Sequence, residues 1–364
     1  MAAAAQLDGA PADLAIVFAS GGHLAACEAT LEGVGEALEP GSMIGCGAAG
    51  VVGGSREVED GTAVAVWAAS LNGAEAHTFQ LSARDAGDEL VVEPLEGAAD
   101  ADAVILISDP YSFPTDHVLR ELAQDAPGVP VIGGVGSART LDGTAALFFG
   151  DEVLEGGAVG VSLSGVELLP CVSQGAAPLG PELTITAADG HVIYELAGQP
   201  ALAKLQHVIG ALPESEREAV ARGVMLGIVI DGGHAEYERG DFLVRGLLSA
   251  DPEAGSVAVG ASVREGQVVR LHVRDAVSAD VDLREALERH RHALAGKPPA
   301  GALLFTCNGR GRAMFGEPDH DAGLVARSLG APPAAGFFAA GEIGPVGGES
   351  FLHGFTATVG VFPA

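Results

Sequence analysis

Short, unbroken apolar runs alternate along this chain with stretches whose apolar residues recur every three or four positions. Asp13-Leu-Ala-Ile-Val-Phe-Ala-Ser20 reads as a strand buried on both faces. From about 23 to 38, Leu24, Cys27, Leu31, Val34 and Leu38 fall on one helical face. Met43-Ile-Gly-Cys-Gly-Ala-Ala-Gly50 follows, and after the Asp60-Gly61 turn a further strand is predicted over 62–71.

The pattern returns twice. Asp102-Ala-Val-Ile-Leu-Ile-Ser-Asp109 is a strand, 116–124 a helix with Thr115 or Asp116 placed to cap it, and Val131-Ile-Gly-Gly-Val-Gly-Ser-Ala138 a glycine segment. The turn Asp142-Gly143-Thr144 leads to a strand over 145–149. At the C-terminus, Ala302-Leu-Leu-Phe-Thr-Cys307 is the strand, 319–329 the helix, Gly336-Phe-Phe-Ala-Ala-Gly-Glu-Ile-Gly-Pro345 the glycine segment, and 351–362 the closing strand. The spacing from first strand to first glycine is similar in all three copies: Leu14 to Gly45, Ala103 to Gly133, Leu303 to Gly336. A weaker fourth copy is expected to begin at Val224 and to include Ser256-Val-Ala-Val-Gly-Ala261.

These units predict an α/β (α+β) fold of mixed β-sheets flanked by helices, built from repeated strand–helix–strand units in two domains. Residues 184–196 form a hairpin turning at Asp189-Gly190, 199–212 a helix, and Pro213-Glu-Ser-Glu216 opens a polar connection. The expected division is a flexible tail over 1–12, an N-terminal domain over 13–200 and a C-terminal domain over 201–364.

Composition narrows the function. With 49 acidic against 19 basic residues the net charge is −30, which repels phosphate backbones and anionic membrane surfaces, so neither nucleic acid nor membrane is an expected partner. No run reaches the ~18 apolar residues of a spanning helix, and the first eleven residues lack the basic stretch of a signal peptide. Cys27, Cys46, Cys171 and Cys307 are scattered, form no C-x-x-C pair, and suggest a reduced, cytoplasmic setting without a metal site.

Candidate chemistry gathers in the glycine segments. Gly45-Cys-Gly-Ala-Ala-Gly50 matches a dinucleotide fingerprint, but a helix precedes it and none follows, so a tight loop is the better reading. Cys307-Asn-Gly-Arg-Gly-Arg312 directly follows a strand, where α/β sheets place ligand groups. Its glycines can form an anion nest, and Arg310 or Arg312 can grip a carboxylate bidentately. Glu342, in Gly341-Glu-Ile-Gly-Pro345, can accept from a ligand amine or pair with Arg310. Cys307 is a candidate nucleophile without a visible base, which leaves an enzymatic role the weakest reading. His290 and His292 lie two apart on a helix and share no face.

The order of these motifs resembles the FIST family of sensory domains. The first half is similar to the FIST N-terminal domain through 43–50, Val131-Ile-Gly-Gly134, Val172-Ser-Gln-Gly175, Leu183-Thr-Ile-Thr186 and Ile193-Tyr-Glu-Leu196. The second half is similar to the FIST C-terminal domain through Arg264-Glu-Gly-Gln267, His272-Val-Arg-Asp275, Phe305-Thr-Cys-Asn-Gly-Arg310, 336–345, and His353 with Thr356. The resemblance implies a cytoplasmic module that binds a small molecule, with amino acids as the suggested class; a separate signalling protein is the expected partner, and a homo-oligomer is a further expected association. It implies no fixed cofactor, with a haem-bound nitric-oxide sensor as the alternative. The ligand-binding positions it implies are Gly45, Cys46, Gly47, Gly133, Gly134, Cys307, Asn308, Arg310, Gly341, Glu342, His353 and Thr356. A ligand held between the two domains would rest its carboxylate on Arg310 and its amine on Glu342.

Overall fold

The computed structural model describes residues 2–85, 90–221, 223–230, 237 and 241–364. They form two compact units: residues up to Ser173 together with those from Leu283 onward, and Gln174–Asp282. The units of packing therefore do not follow a linear division near residue 200. In the order of the chain, the residues of the smaller unit fall between the two segments of the larger.

In the larger unit the three repeats are real and interlocked. Each has a central strand lying parallel to its glycine-bearing partner and antiparallel to a third strand. Leu14–Ser20 pairs with Ser42–Gly47 and Ala63–Ala69. Ala103–Ser108 pairs with Val131–Val135 and Ala158–Ser164. Gly301–Cys307 pairs with Ala334–Ala339 and Thr356–Phe362. Helices Cys27–Leu38, Thr115–Asp125 and His320–Leu329 lie between the parallel strands in sequence.

After its glycine segment each repeat sends a hairpin into another repeat's sheet. Strands Val51–Gly53 and Arg56–Val58 of the first extend the third, where Val51–Gly53 meets Ala334–Ala339. Strands Gly341–Val346 and Glu349–His353 of the third extend the second, against Val131–Val135. Strands Leu147–Phe149 and Glu152–Leu154 of the second extend the first, against Ser42–Gly47. The strand after Asp142-Gly143 is thus the counterpart of Val51–Gly53, not of the strand predicted over 62–71. The closing strand predicted over 351–362 is two strands, belonging to different sheets.

Alternation along the central strands explains why they read as continuous apolar runs. Ile16 and Phe18, Ile105 and Ile107, Leu303 and Phe305 point into one shared core. The intervening Ala15 and Val17, Val104 and Leu106, Ala302 and Leu304 face three separate outer cores supplied by helices. Phe18, Phe305 and Phe337 pack ring on ring in the centre, with centroids 5.1–6.3 Å apart. Each such buried ring contributes roughly 1.5–3 kcal/mol through removal of apolar surface from water.

Three glycines make the repeat possible. A Cβ on Gly45, Gly133 or Gly336 would sit 1.8, 1.9 or 1.7 Å from the carbonyl oxygen of its cross-strand partner, Val17, Leu106 or Leu304. They occupy the same place in each parallel pair, which is why the sequence spacing recurs.

The smaller unit is built differently. Among the described residues, antiparallel strands Ala176–Asp189, Val268–Arg274, Val224–Val229, Phe242–Asp251, Ser256–Val259 and Val192–Leu196 pair in that order, and the last returns to the first. This closed ring removes sheet edges. Helix Ala201–Ala211 packs Leu205 and Val208 onto it. The hairpin predicted over 184–196 is present, with Gly190 at φ +58° in its turn. The expected fourth repeat is not: Val224–Val229 and Ser256–Val259 are barrel strands, and an apolar run alone does not distinguish a barrel strand from a strand–helix–strand unit. The polar connection at 213 is a helix, Glu214–Ala221. The tail carries a short helix, Ala2–Gln6. Pro114 occupies the cap position of helix Thr115–Asp125, and the Thr115 hydroxyl instead meets that of Ser108 at 2.8 Å.

Candidate functional site

The interlocked sheets place one position at three equivalent points, one residue beyond each close-approach glycine. Cys46 faces Leu147, Gly134 faces Glu342, and Phe337 faces Val51 across the exchanged ladders. Leu147 and Val51 are core aliphatics, 1% and 2% exposed. The third counterpart is an acid, Glu342, with 0% exposure. An ionised carboxylate in such a slot is costly unless paired, so its presence calls for an explanation.

Around Glu342 lies a buried polar cluster. Strand Gly301–Cys307 delivers Thr306 to its outer face and Cys307 to its inner face. The loop that follows folds Arg310 back so that its guanidinium is 0% exposed. Nε and Nη2 of Arg310 donate to Oδ2 and Oδ1 of Asp321, at 2.7 and 2.8 Å. Asp321 lies in the first turn of helix His320–Leu329 and also accepts from the Thr306 hydroxyl at 2.7 Å. The His320 ring nitrogen Nδ1 lies 2.9 Å from Asp321 Oδ1, and the ring stacks on Phe315 at 3.4 Å. Although burial opposes ionisation of Asp321, the Arg310 charge and these hydrogen bonds hold its carboxyl well below the ordinary range. Burial works against the Arg310 charge too, yet Asp321 outweighs it and raises its pKa.

Glu342 resolves the opposite way. Its Oε2 accepts from the Thr356 amide and hydroxyl, at 3.0 and 2.8 Å. Burial nevertheless dominates and pushes its pKa up to about 8, against the lowering effects of Thr356, Arg310 and Cys307. It is therefore mostly protonated at neutral pH. Two atoms of the cluster, Arg310 Nη1 and Glu342 Oε1, are buried with no hydrogen-bond partner among the described residues. Buried polar atoms are rarely left so, because each costs about 1–3 kcal/mol. Thr358 Oγ1, two residues beyond Thr356, is also unpartnered, as is Oε2 of Glu57. Burial and neighbouring acids raise Glu57 to about 7.

The structure brings together Cys307, Arg310, Gly341, Glu342, His353 and Thr356, with Gly133 and Gly134 on the adjacent strand. His353 is the cross-strand partner of Glu342, and its Nε2 meets the Gly344 carbonyl at 2.9 Å. Gly45, Cys46 and Gly47 lie elsewhere, in the first sheet, where Cys46 is fully buried and a Cβ on Gly47 would strike Leu24 and Ala146. Asn308 is exposed, and its backbone N–H donates to the Ala339 carbonyl. The bidentate partner of Arg310 is Asp321, so only Nη1 is left for a guest. The Arg312 amide is held by the Glu59 carboxylate. Sequence reasoning missed Asp321, His320 and Thr306. The acid-His-acid start of a helix, Asp319-His320-Asp321, was the available signal.

Two open clefts reach residues adjoining the cluster. One of about 480 Å³ is lined by Gly341 and His353 with Thr115, His117 and Arg120. The other, about 540 Å³, is lined by Asp319 and His320 with Arg56 and Arg327. Among the described residues no group of three or more potential ligand side chains is arranged for a metal ion. His290 has both ring nitrogens engaged, by the carbonyls of Ala286 and Leu169, which does not favour an axial haem ligand.

Comparison with known proteins gives a consistent assignment. The family model described as the FIST N domain matches residues 13–199, and that described as the FIST C domain matches 201–345. Uncharacterized protein Rv0628c of Mycobacterium tuberculosis is 45% identical over 358 residues, covering 98% of this chain and 93% of its own. Uncharacterized protein Mb0898c of Mycobacterium bovis is 43% identical over 358 residues, covering 98% and 92%. No helix among the described residues is long and apolar enough to cross a membrane.

Proposed function

The chain belongs to the FIST family, whose N and C domains are associated with small-ligand-binding sensory function, and we propose that it senses a small carboxylate-bearing metabolite, such as an amino acid or a close analogue, at the Arg310–Glu342 cluster. The supporting observation is the pair of buried, unpartnered atoms, Arg310 Nη1 and Glu342 Oε1, at a position the other two repeats fill with aliphatic side chains. The site lies within the larger unit, where a strand of the FIST N segment, Val131–Val135, pairs with a strand of the FIST C segment, Gly341–Val346. Asp321 fixes the guanidinium, so Nη1 presents a pre-oriented donor to a guest oxygen. Because the cluster is buried, a ligand enters by displacing the loop over 308–316, and that displacement is the change a separate signalling partner would read. A thermal-shift screen of the full chain against amino acids, 2-oxo acids and small dicarboxylates tests this. Stabilisation that grows with ligand concentration is expected. No shift for any compound, with a cooperative melt, would contradict it.

A further inference from the structure

We propose that the cluster recognises the acceptor oxygen of a carboxylate or carbonyl group, with Glu342 meeting it as a neutral acid that donates its own proton. This rests on the cluster being the ligand site. It differs from the amine-accepting role expected for Glu342 from sequence.

Hydrogen-bond accounting carries the argument. Oε2 of Glu342 already accepts two donors, the amide and hydroxyl of Thr356. A proton on this carboxyl therefore resides on Oε1, which has no nitrogen or oxygen partner among the described residues, the Cys307 thiol being the carboxyl's remaining hydrogen-bonding neighbour. Arg310 Nη1, the second unpartnered atom, is also a donor. Two buried donors without an acceptor are matched by an oxygen with free lone pairs. An ammonium group supplies only donors and would also meet the guanidinium charge.

Charge accounting agrees. The Arg310 and Asp321 charges cancel, so a neutral Glu342 leaves the cluster itself uncharged, and an incoming carboxylate meets no unpaired anion there. The titratable groups facing Glu342 are Cys307 on the strand before the loop, Arg310 on the loop and His353 across the ladder, with Asp321 and His320 behind Arg310. Burial against these groups holds its pKa near 8. The Val51 and Leu147 counterparts indicate that the slot tolerates an uncharged side chain.

The test uses the full chain with sodium acetate and methylammonium chloride as probes, by calorimetry between pH 6.5 and 9.5 and by infrared difference spectroscopy. Acetate is expected to bind at pH 6.5, and its affinity to fall about tenfold per pH unit above about 8, as the competent protonated fraction declines. Glu342→Gln should keep acetate binding but lose this pH dependence, since its amide N–H replaces the acid proton. Glu342→Leu, which copies the Leu147 counterpart, should fold and lose binding. The wild-type minus E342Q difference spectrum should contain a protonated-carboxyl band, over the one Glu57 contributes to both proteins, and it should move on adding acetate. Methylammonium binding with proton release, or an ionised Glu342 at pH 6.5, would overturn this inference while leaving the ligand site standing. Saturable amino-acid binding that E342L retains unchanged would overturn both, as would failure of every probe on folded protein.

Discussion

Nε and Nη2 of Arg310 lie 2.7 and 2.8 Å from the two carboxylate oxygens of Asp321, and both side chains are excluded from solvent. The pair anchors the loop after strand Gly301–Cys307 to helix His320–Leu329. Removing one partner strands the other charge. Asp321→Asn is therefore expected to destabilise by roughly 3–5 kcal/mol, whereas replacing both residues by apolar ones, Arg310→Met with Asp321→Leu, should recover much of that loss. Urea unfolding of the single and double variants measures it; equal losses in both would contradict the pairing account.

Stability should fall as pH rises through neutrality. Glu342 is raised from 4.5 to about 8 and Glu57 from 4.5 to about 7. Between 4.5 and those values the folded protein keeps protons that the unfolded chain has released. Each group then lowers stability by up to about 1.4 kcal/mol per pH unit across its window. Glu342→Gln should flatten the fall between pH 7 and 8, leaving the Glu57 contribution below. Asp321 has the opposite sign, because its folded pKa is depressed: its contribution is present above its ordinary 3.8 and is lost as pH falls below that. Urea midpoints across pH 3–9 read both effects.

The repeat glycines are steric requirements. Gly336→Ala places a Cβ 1.7 Å from the Leu304 carbonyl oxygen, so the parallel pair must separate, and a loss above about 3 kcal/mol is expected. Gly33, inside helix Cys27–Leu38, has open space around it. Gly33→Ala should stabilise by roughly 0.5–1 kcal/mol through helix propensity. Melting of the two variants separates close approach from glycine content.

Cys46 and Cys171 should differ in reactivity. Cys46 is fully buried and burial pushes its thiol far up, while Cys171 is half-buried. A chromogenic disulfide reagent on native protein should label Cys171 first and leave Cys46 intact. Cys46→Ala should bind ligand as wild type does. Loss of binding would move the site to the first glycine segment.

Much of this was legible in the sequence. The triple repeat was visible because the close-approach glycines must recur at a fixed distance from each central strand, and the central strands must be apolar on both faces. The destinations of the hairpins after those glycines were not, because pairing within a repeat and exchange between repeats use the same alternation. Arg310 and Glu342 stood out as charged residues in glycine loops. Asp321 did not, since an acid in the first turn of a helix ordinarily serves the helix dipole at the surface. Its burial depends on a loop eleven residues earlier in the chain folding back over it. Gly45–Gly47 shared the glycine signal of a pocket loop, but the structure uses it for strand and side-chain packing.

The most direct measurement is the position of a bound ligand. A crystal structure of the full chain with the acid that gives the largest concentration-dependent thermal shift should show one ligand oxygen within hydrogen-bonding distance of both Arg310 Nη1 and Glu342 Oε1, with the loop over 308–316 displaced. A ligand seated elsewhere, with that loop closed and those two atoms still without it, would contradict the account.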